Sequence, residues 1–260
     1  MALQLWRRRP PAGSEIDLAE AMLDWYCTPP GRVLQSQIGS ILDELLPGLF
    51  GYHLVWLGPL PEPSWWHASP IRHRVVVSSQ RKDGESPLHA RALASALPLA
   101  TDSVDVVVLH HALEMASSPH QVLREAERVL IPEGRVVIFG FSPWSLWGVR
   151  RAFTPWDDRV PWTLDYLSLR RIKDWLALLG LELEHQRRLL YTPPCRSAAL
   201  LCRFSFLEWC GRRWWPFFGG AYAVVARKRI SRPTLVGPRW RRRRRIVVPG
   251  LVGTSNRNPS

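Results

Sequence analysis

Helical and strand-like runs of apolar residues alternate along this chain. After Ser14 and Glu15, the spacing of Leu18, Met22 and Trp25 predicts a short amphipathic helix that stops before Pro29-Pro30-Gly31. Val33, Ile38, Ile41, Leu42 and Leu45 predict a second helix ending near Pro47-Gly48. Residues 53–57 form a brief apolar run closed by Gly58-Pro59, the pattern of a buried parallel strand, and residues 74–78 form another. The clearest unit spans residues 97–141. Its first strand, 104–109, is apolar apart from Asp105; Ser118-Pro119 supply an N-cap and a first-turn proline. Val122, Leu123, Ala126, Val129 and Leu130 make one helical stripe, Pro132-Glu133-Gly134 end that helix, and 135–141 read as a second buried strand. Strand, helix and strand in this order form a βαβ unit with a right-handed crossover. A helix over 168–179 ends at Gly180, and 182–190 and 222–227 read as the last strands, separated by an insertion over 195–220.

Length and charge refine this picture. The chain's 260 residues suffice for one α/β domain with its own core plus short appendages. Its formal charge of +13 points toward polyanions, but the charge is unevenly spread. Of the 35 Lys and Arg residues, 13 follow Glu208, the last of the 22 acidic residues, so residues 1–208 are neutral overall. The domain expected over 15–230 therefore offers no electrostatic case for a polyanionic substrate. The excess follows Glu208, and eight of its 13 cations fall in a basic tail, 231–260, whose Pro, Gly and Arg content predicts disorder; residues 1–14 form an N-terminal arm.

Cys27, Cys195, Cys202 and Cys210 lack zinc-site spacing, so no metal is expected. The last three, seven and eight residues apart, are expected on one helix face as buried free thiols, in keeping with a reducing compartment. Arg7, Arg8 and Arg9 are not followed by the apolar core of a secretory signal, and no run is long and apolar enough to span a membrane. The expected location is the cytoplasm, with peripheral contact at the inner face of the membrane as an extension.

The run Leu97-Pro98-Leu99-Ala100-Thr101-Asp102-Ser103-Val104-Asp105 resembles a signature of class I S-adenosylmethionine (SAM) dependent methyltransferases of the type 11 family. The similarity continues through Ala112-Leu113-Glu114, Ser118-Pro119, Leu123-Arg124-Glu125-Ala126, Arg128-Val129-Leu130 and Pro132-Glu133-Gly134-Arg135. Residues 25–31 and 49–54 look like a bacterial subgroup of that family. The resemblance implies an α/β, Rossmann-like seven-stranded sheet in the order 3-2-1-4-5-7-6, with strand 7 antiparallel and helices on both faces. It also implies SAM as cofactor, bound outside the carboxyl ends of the strands where the strand order reverses.

The cofactor positions implied by the resemblance are Leu57, Gly58 and Pro59 after strand 1, Ser78 or Ser79 after strand 2, Ala96-Leu97, and His110. The family's glycine-rich pattern is reduced to Gly58, with Leu60 and Glu62 replacing glycines. A serine stands where an acid usually holds the ribose, and the acid near adenine would fall at Leu93. Ser78 can still bond a ribose hydroxyl, and backbone groups at Leu97 can still meet adenine; alternatively, the fold persists as a scaffold without SAM.

His110 and His111 follow the fourth strand, where a general base toward a hydroxyl or amine would stand; the alternative is a strand cap beside a solvent-facing residue. Trp65, Trp66, Trp144, Trp147, Trp156 and Trp162 either line a small or apolar substrate pocket or pack surface loops. The insertion mixes Phe204, Phe206, Trp209, Trp214, Trp215 and Phe217 with Arg203, Arg212 and Arg213, suiting a lid, a membrane-interface helix or a covering helix. Trp240 with Arg239 and Arg241 to Arg245 suits RNA phosphates or anionic lipid headgroups. An RNA-associated methyltransferase is thus a third reading, although residues 109–112 lack the Asn/Asp-Pro-Pro-aromatic run of enzymes that methylate base amino groups.

Overall fold

A computed structural model describes residues 15–229 except 61–62, 79–88, 155–156, 158 and 196. The expectations for the arm, the tail with Arg239 to Arg245, Ser79 and Trp156 lie outside these described residues. The chain divides into Met1–Ile230 and Ser231–Ser260.

Two helices, α1 (Glu15–Tyr26) and α2 (Pro29–Leu45), precede the sheet. Pro29-Pro30-Gly31 do not separate them by a loop. They form the first turn of α2, where prolines are tolerated because those N–H groups have no intrahelical partner. The strands are β1 (His53–Leu57), β2 (His73–Ser78), β3 (His89–Arg91), β4 (Val104–His110), β5 (Leu130–Phe141), β6 (Leu181–Leu189) and β7 (Ala221–Lys228). Their order is β3-β2-β1-β4-β5-β7-β6, and β7 runs antiparallel to both neighbours. The expected fold is the observed one.

Between β4 and β5 lie α3 (Ala112–Met115) and α4 (Pro119–Val129); α5 (Leu146–Phe153) and α6 (Leu169–Leu178) follow β5. The insertion folds as α7 (Ala198–Arg203) and α8 (Phe206–Trp214). Alternate residues of the central strands feed two cores: Leu54, Trp56, Val106 and Val108 face α1 and α2, while Val55, Leu57, Val107 and Leu109 face α4 and α6. That double burial explains why these strands read as continuous apolar runs. Asp105, the exception, sits at the amino end of β4, and its carboxylate accepts the N–H groups of Tyr52 (2.8 Å) and His53 (2.9 Å).

Two local expectations fail. Ser118 precedes α4 but makes no side-chain cap bond; its φ of −133° and ψ of 85° do not give the cap geometry. Cys195, Cys202 and Cys210 do not share a buried helix face, because a break at Phe204-Ser205 splits the segment: Cys202 is exposed on α7 and Cys210 half-buried on α8. Among the described residues no cluster suits a metal ion, and no helix is long and apolar enough to cross a membrane.

Candidate functional site

The strand order reverses between β1 and β4, and the expected site residues converge on the crevice at their carboxyl ends. β1 closes with buried Leu57 and then Gly58, whose φ is +102°. A Cβ on Gly58 would stand 2.1 Å from the carbonyl oxygen of His110. Glycine here lets the β1 turn touch the β4 backbone.

His110 and His111 are 0% and 1% exposed, so neither faces solvent. His110 Nδ1 lies 2.6 Å from the carbonyl oxygen of Pro59, which also accepts the Trp56 indole N–H at 3.2 Å. The Tyr26 hydroxyl, delivered by the end of α1, lies 2.9 Å from Nε2 of both histidines. His111 Nδ1 lies 2.7 Å from Glu114 Oε2, and the other Glu114 oxygen accepts the N–H of Phe141. His111 holds a left-handed φ of 53°, which turns its ring back toward Tyr26 and Glu114.

The donors of this chain can be assigned from its ends. A carbonyl only accepts, so His110 carries its proton on Nδ1 and offers a bare Nε2. The single Tyr26 proton then points to His110, and the Tyr26 oxygen receives the N–H of His111 Nε2. His111 Nδ1 is then the acceptor of a proton from Glu114. Burial favours the same neutral arrangement: desolvation pushes His111 down to about 3, holds His110 well below its ordinary value, and raises Glu114 well above the usual carboxylate range. Every polar atom of the chain is thereby satisfied without a buried ion.

Aromatic rings pack around it. Tyr26 stacks on His110 with centroids 5.5 Å apart, Trp65 meets His110 edge-on, and Phe141 stacks on His111 at 4.6 Å. Trp147 stacks on Trp162 at 5.4 Å, while the Trp147 indole donates to Thr192 O. Trp65, Trp147 and Trp162 are therefore packing residues in this arrangement, while Trp144 is exposed.

The remaining cofactor positions flank the crevice. Ser78 ends β2 and is partly exposed, one strand from β1. Leu97 has both backbone groups committed, its N–H to Glu125 and its C=O to Arg128, each at 3.2 Å. Arg128 also donates to Leu99 O, so these helix side chains brace the turn before β4. The backbone groups expected at adenine thus each have a partner within the protein. Ala96 donates its N–H to Leu93 O within the same turn. Tyr26 and Glu114 escaped the sequence reading: the His111–Glu114 spacing hinted at one contact, but nothing local linked Tyr26 to residues more than eighty positions away.

A seven-stranded sheet of this order, with its crevice at β1 and β4, is the fold of the class I SAM-dependent methyltransferases. A family model for a type 11 methyltransferase domain matches residues 71–138. The chain belongs to one family with the Escherichia coli (strain K12) uncharacterized protein YafS, to which it is 30% identical over 231 residues, 89% of this chain and 90% of that protein. In fold it is similar to a SAM-dependent methyltransferase of Thermotoga maritima, a possible histamine N-methyltransferase, with a TM-score of 0.57 and 14% identity over 79% of this chain and 93% of that one. A SAM-dependent methyltransferase of Mesorhizobium loti matches with a TM-score of 0.52 and 18% identity, over 72% and 96% of the two chains. The [4+2]-cyclase SpnF matches with the same TM-score and 16% identity, over 75% and 80%. One fold thus carries different chemistries.

Among the described residues, Tyr26, His110 and Trp65 pack together at the β4 end of the crevice, and the polar groups of Tyr26, His110 and His111 bond one another.

Proposed function

We propose that this chain is a SAM-dependent O-methyltransferase for a small, apolar-bodied alcohol or phenol, and that α1 closes its crevice in the state described. SAM, when bound, supplies an electrophilic methyl group. The carrying observation is the Tyr26 hydroxyl, held 2.9 Å from a bare acceptor on His110 and from a donor on His111. A substrate hydroxyl replacing it would find the same pair: it would give its proton to His110 Nε2 and accept the N–H of His111.

Pro59 fixes the His110 tautomer with Nε2 free, and Glu114 orients His111. His110 is thus the base and His111 and Glu114 are positioning residues in this reading. Admission of water as α1 withdraws relieves the desolvation that depresses both imidazoles, bringing His110 toward the range where a base works near neutrality. Ser78, partly exposed at the end of β2 beside β1, is the side chain that would meet the ribose in this reading.

The test is calorimetric titration with SAM and S-adenosylhomocysteine, in the wild type and in Tyr26→Phe. Removing the hydroxyl leaves two buried imidazole nitrogens unpaired in the closed state, at about 1–3 kcal/mol each. That penalty favours opening, so SAM should bind at least tenfold more tightly to Tyr26→Phe. Ser78→Asp should tighten it further by offering a charged acceptor.

The full crevice and the committed Leu97 backbone favour a second reading, a methyltransferase-fold scaffold that binds no SAM. Absence of binding to either protein at millimolar SAM would select it and remove the first.

The partner reading favoured by the surface is an anionic membrane. Phe206, Trp209, Trp214 and Trp215 of the insertion are exposed beside Arg203 and Arg213, the composition of an interfacial face.

A further inference from the structure

A second cavity opens at the carboxyl end of β6, on the rim that also carries the crevice. Three strand steps of about 4.8 Å separate β6 from β4, so the two lie ~14 Å apart along the sheet. The cavity encloses about 730 Å³, within the range of small-molecule sites. α2 and the first turn of α6 form two walls, the end of β6 the floor, and the segment after α8 the rim.

Its lining is electrically unbalanced. Four cations, Arg170, Lys173, Arg187 and Arg188, meet only two carboxylates, Glu44 and Glu208. Glu44 pairs with Arg187, and Glu208 accepts the N–H groups of Tyr191 (2.8 Å) and Thr192 (3.1 Å). No lining carboxylate is left for Arg170, Lys173 or Arg188. Arg188 is half-buried, and its hydrogen bond is to the neutral hydroxyl of Ser142, at 2.9 Å. Burial lowers its basicity, the sign of a guanidinium that has lost water without gaining a counter-ion. A desolvated cation of this kind opposes folding unless something else needs it.

The backbone beside it is strained as well. Leu190, between the lining residues Leu189 and Tyr191, has a φ of +60°, where a side chain costs about 1–2 kcal/mol. The Gln37 side chain and the N–H of Gly220 hold it there, each at 2.9 Å. Ile41, Leu169, Tyr191 and Phe217 complete an apolar side to the cavity.

We propose that this cavity binds an anionic amphiphile, a phosphate or carboxylate on an apolar body, with Arg188, Lys173 and Arg170 on the acid group. The α6 N-terminus faces the same space and adds N–H groups of favourable sign. The proposal needs no SAM; that the ligand is also the methyl acceptor rests on the preceding reading.

The test uses hexyl phosphate, hexanoate and hexanol in calorimetric titration of the full chain, with phosphatidylglycerol and phosphatidylcholine vesicles as a second arm. Hexyl phosphate or hexanoate should bind, hexanol at least tenfold more weakly, and Arg188→Met and Lys173→Met should each weaken anion binding at least tenfold. Arg188→Met should at the same time keep or raise the ligand-free melting temperature, since it removes an uncompensated cation; a purely structural arginine would lower it. Binding of phosphatidylglycerol vesicles alone, lost in both variants, assigns the same chemistry to a lipid headgroup. No anion binding in either arm, or equal affinity in wild type and Lys173→Met, overturns the proposal. SAM titration of the same variants stays at the wild-type value, so failure of the methyltransferase reading is seen separately.

Discussion

At the scale of the residue, the buried Tyr26–His110–His111–Glu114 chain ties stability to pH. Both imidazoles are neutral when folded, while in the unfolded chain each takes a proton near 6.5. Below that pH the unfolded state binds more protons, so stability falls by about 1.4 kcal/mol per pH unit per histidine. For His111 the loss continues down to its folded value of about 3. Glu114 acts in the opposite sense. Its raised pKa keeps a proton that the unfolded chain releases above 4.5, so its contribution is full below 4.5 and is lost as pH rises through the folded value. Urea melts from pH 6 to 4.5 should lose stability with a net slope near one proton, two taken up by the unfolded histidines less the one that folded Glu114 keeps. His111→Asn, which tolerates the left-handed backbone, should reduce the net slope to about zero. An unchanged slope would place the titration elsewhere.

At the scale of the element, β1 and β4 touch through Gly58 and the His110 carbonyl, so this glycine answers to the sheet before any ligand. Gly58→Ala forces a Cβ to 2.1 Å from that oxygen at a φ of +102°. The expected outcome is a loss of at least about 2 kcal/mol, seen as reduced soluble yield and a lower melting temperature. A folded, equally stable Gly58→Ala would mean that the turn relaxes freely.

At the scale of the whole molecule, the charge excess after Glu208 and the aromatic face of α8 would make separable contributions to the anionic-surface binding proposed above. Contacts from the Arg239 to Arg245 segment exchange with salt, so an electrostatic attachment should weaken on the order of a thousandfold between about 50 and 200 mM salt. An attachment through Trp209 and Trp214 buries apolar surface and should persist. Co-sedimentation with phosphatidylglycerol vesicles across that range separates them: survival at high salt, lost in Trp209→Ser with Trp214→Ser, assigns the aromatic face. Complete loss at high salt, or capture of RNA alone, assigns the arginines.

The central strands and cores of this protein were legible from its sequence because they rest on local periodicity, while the strand order came from the family resemblance. Residues 53–57, 104–109 and 135–141 are apolar apart from His53, Asp105 and Arg135 because helices cover both faces of the sheet, and the Val122–Val129 stripe faces it at helical spacing. The crevice positions were named by carrying the family resemblance onto the ends of those strands. Tertiary structure alone decided what those positions do. Tyr26 meets His110 across 84 residues, Arg128 takes the Leu97 carbonyl across 31, and the cations of the β6 cavity come from separate elements. Hydrogen bonds and charge balance depend on distance in space, and no spacing along the chain encodes which buried donor finds which acceptor.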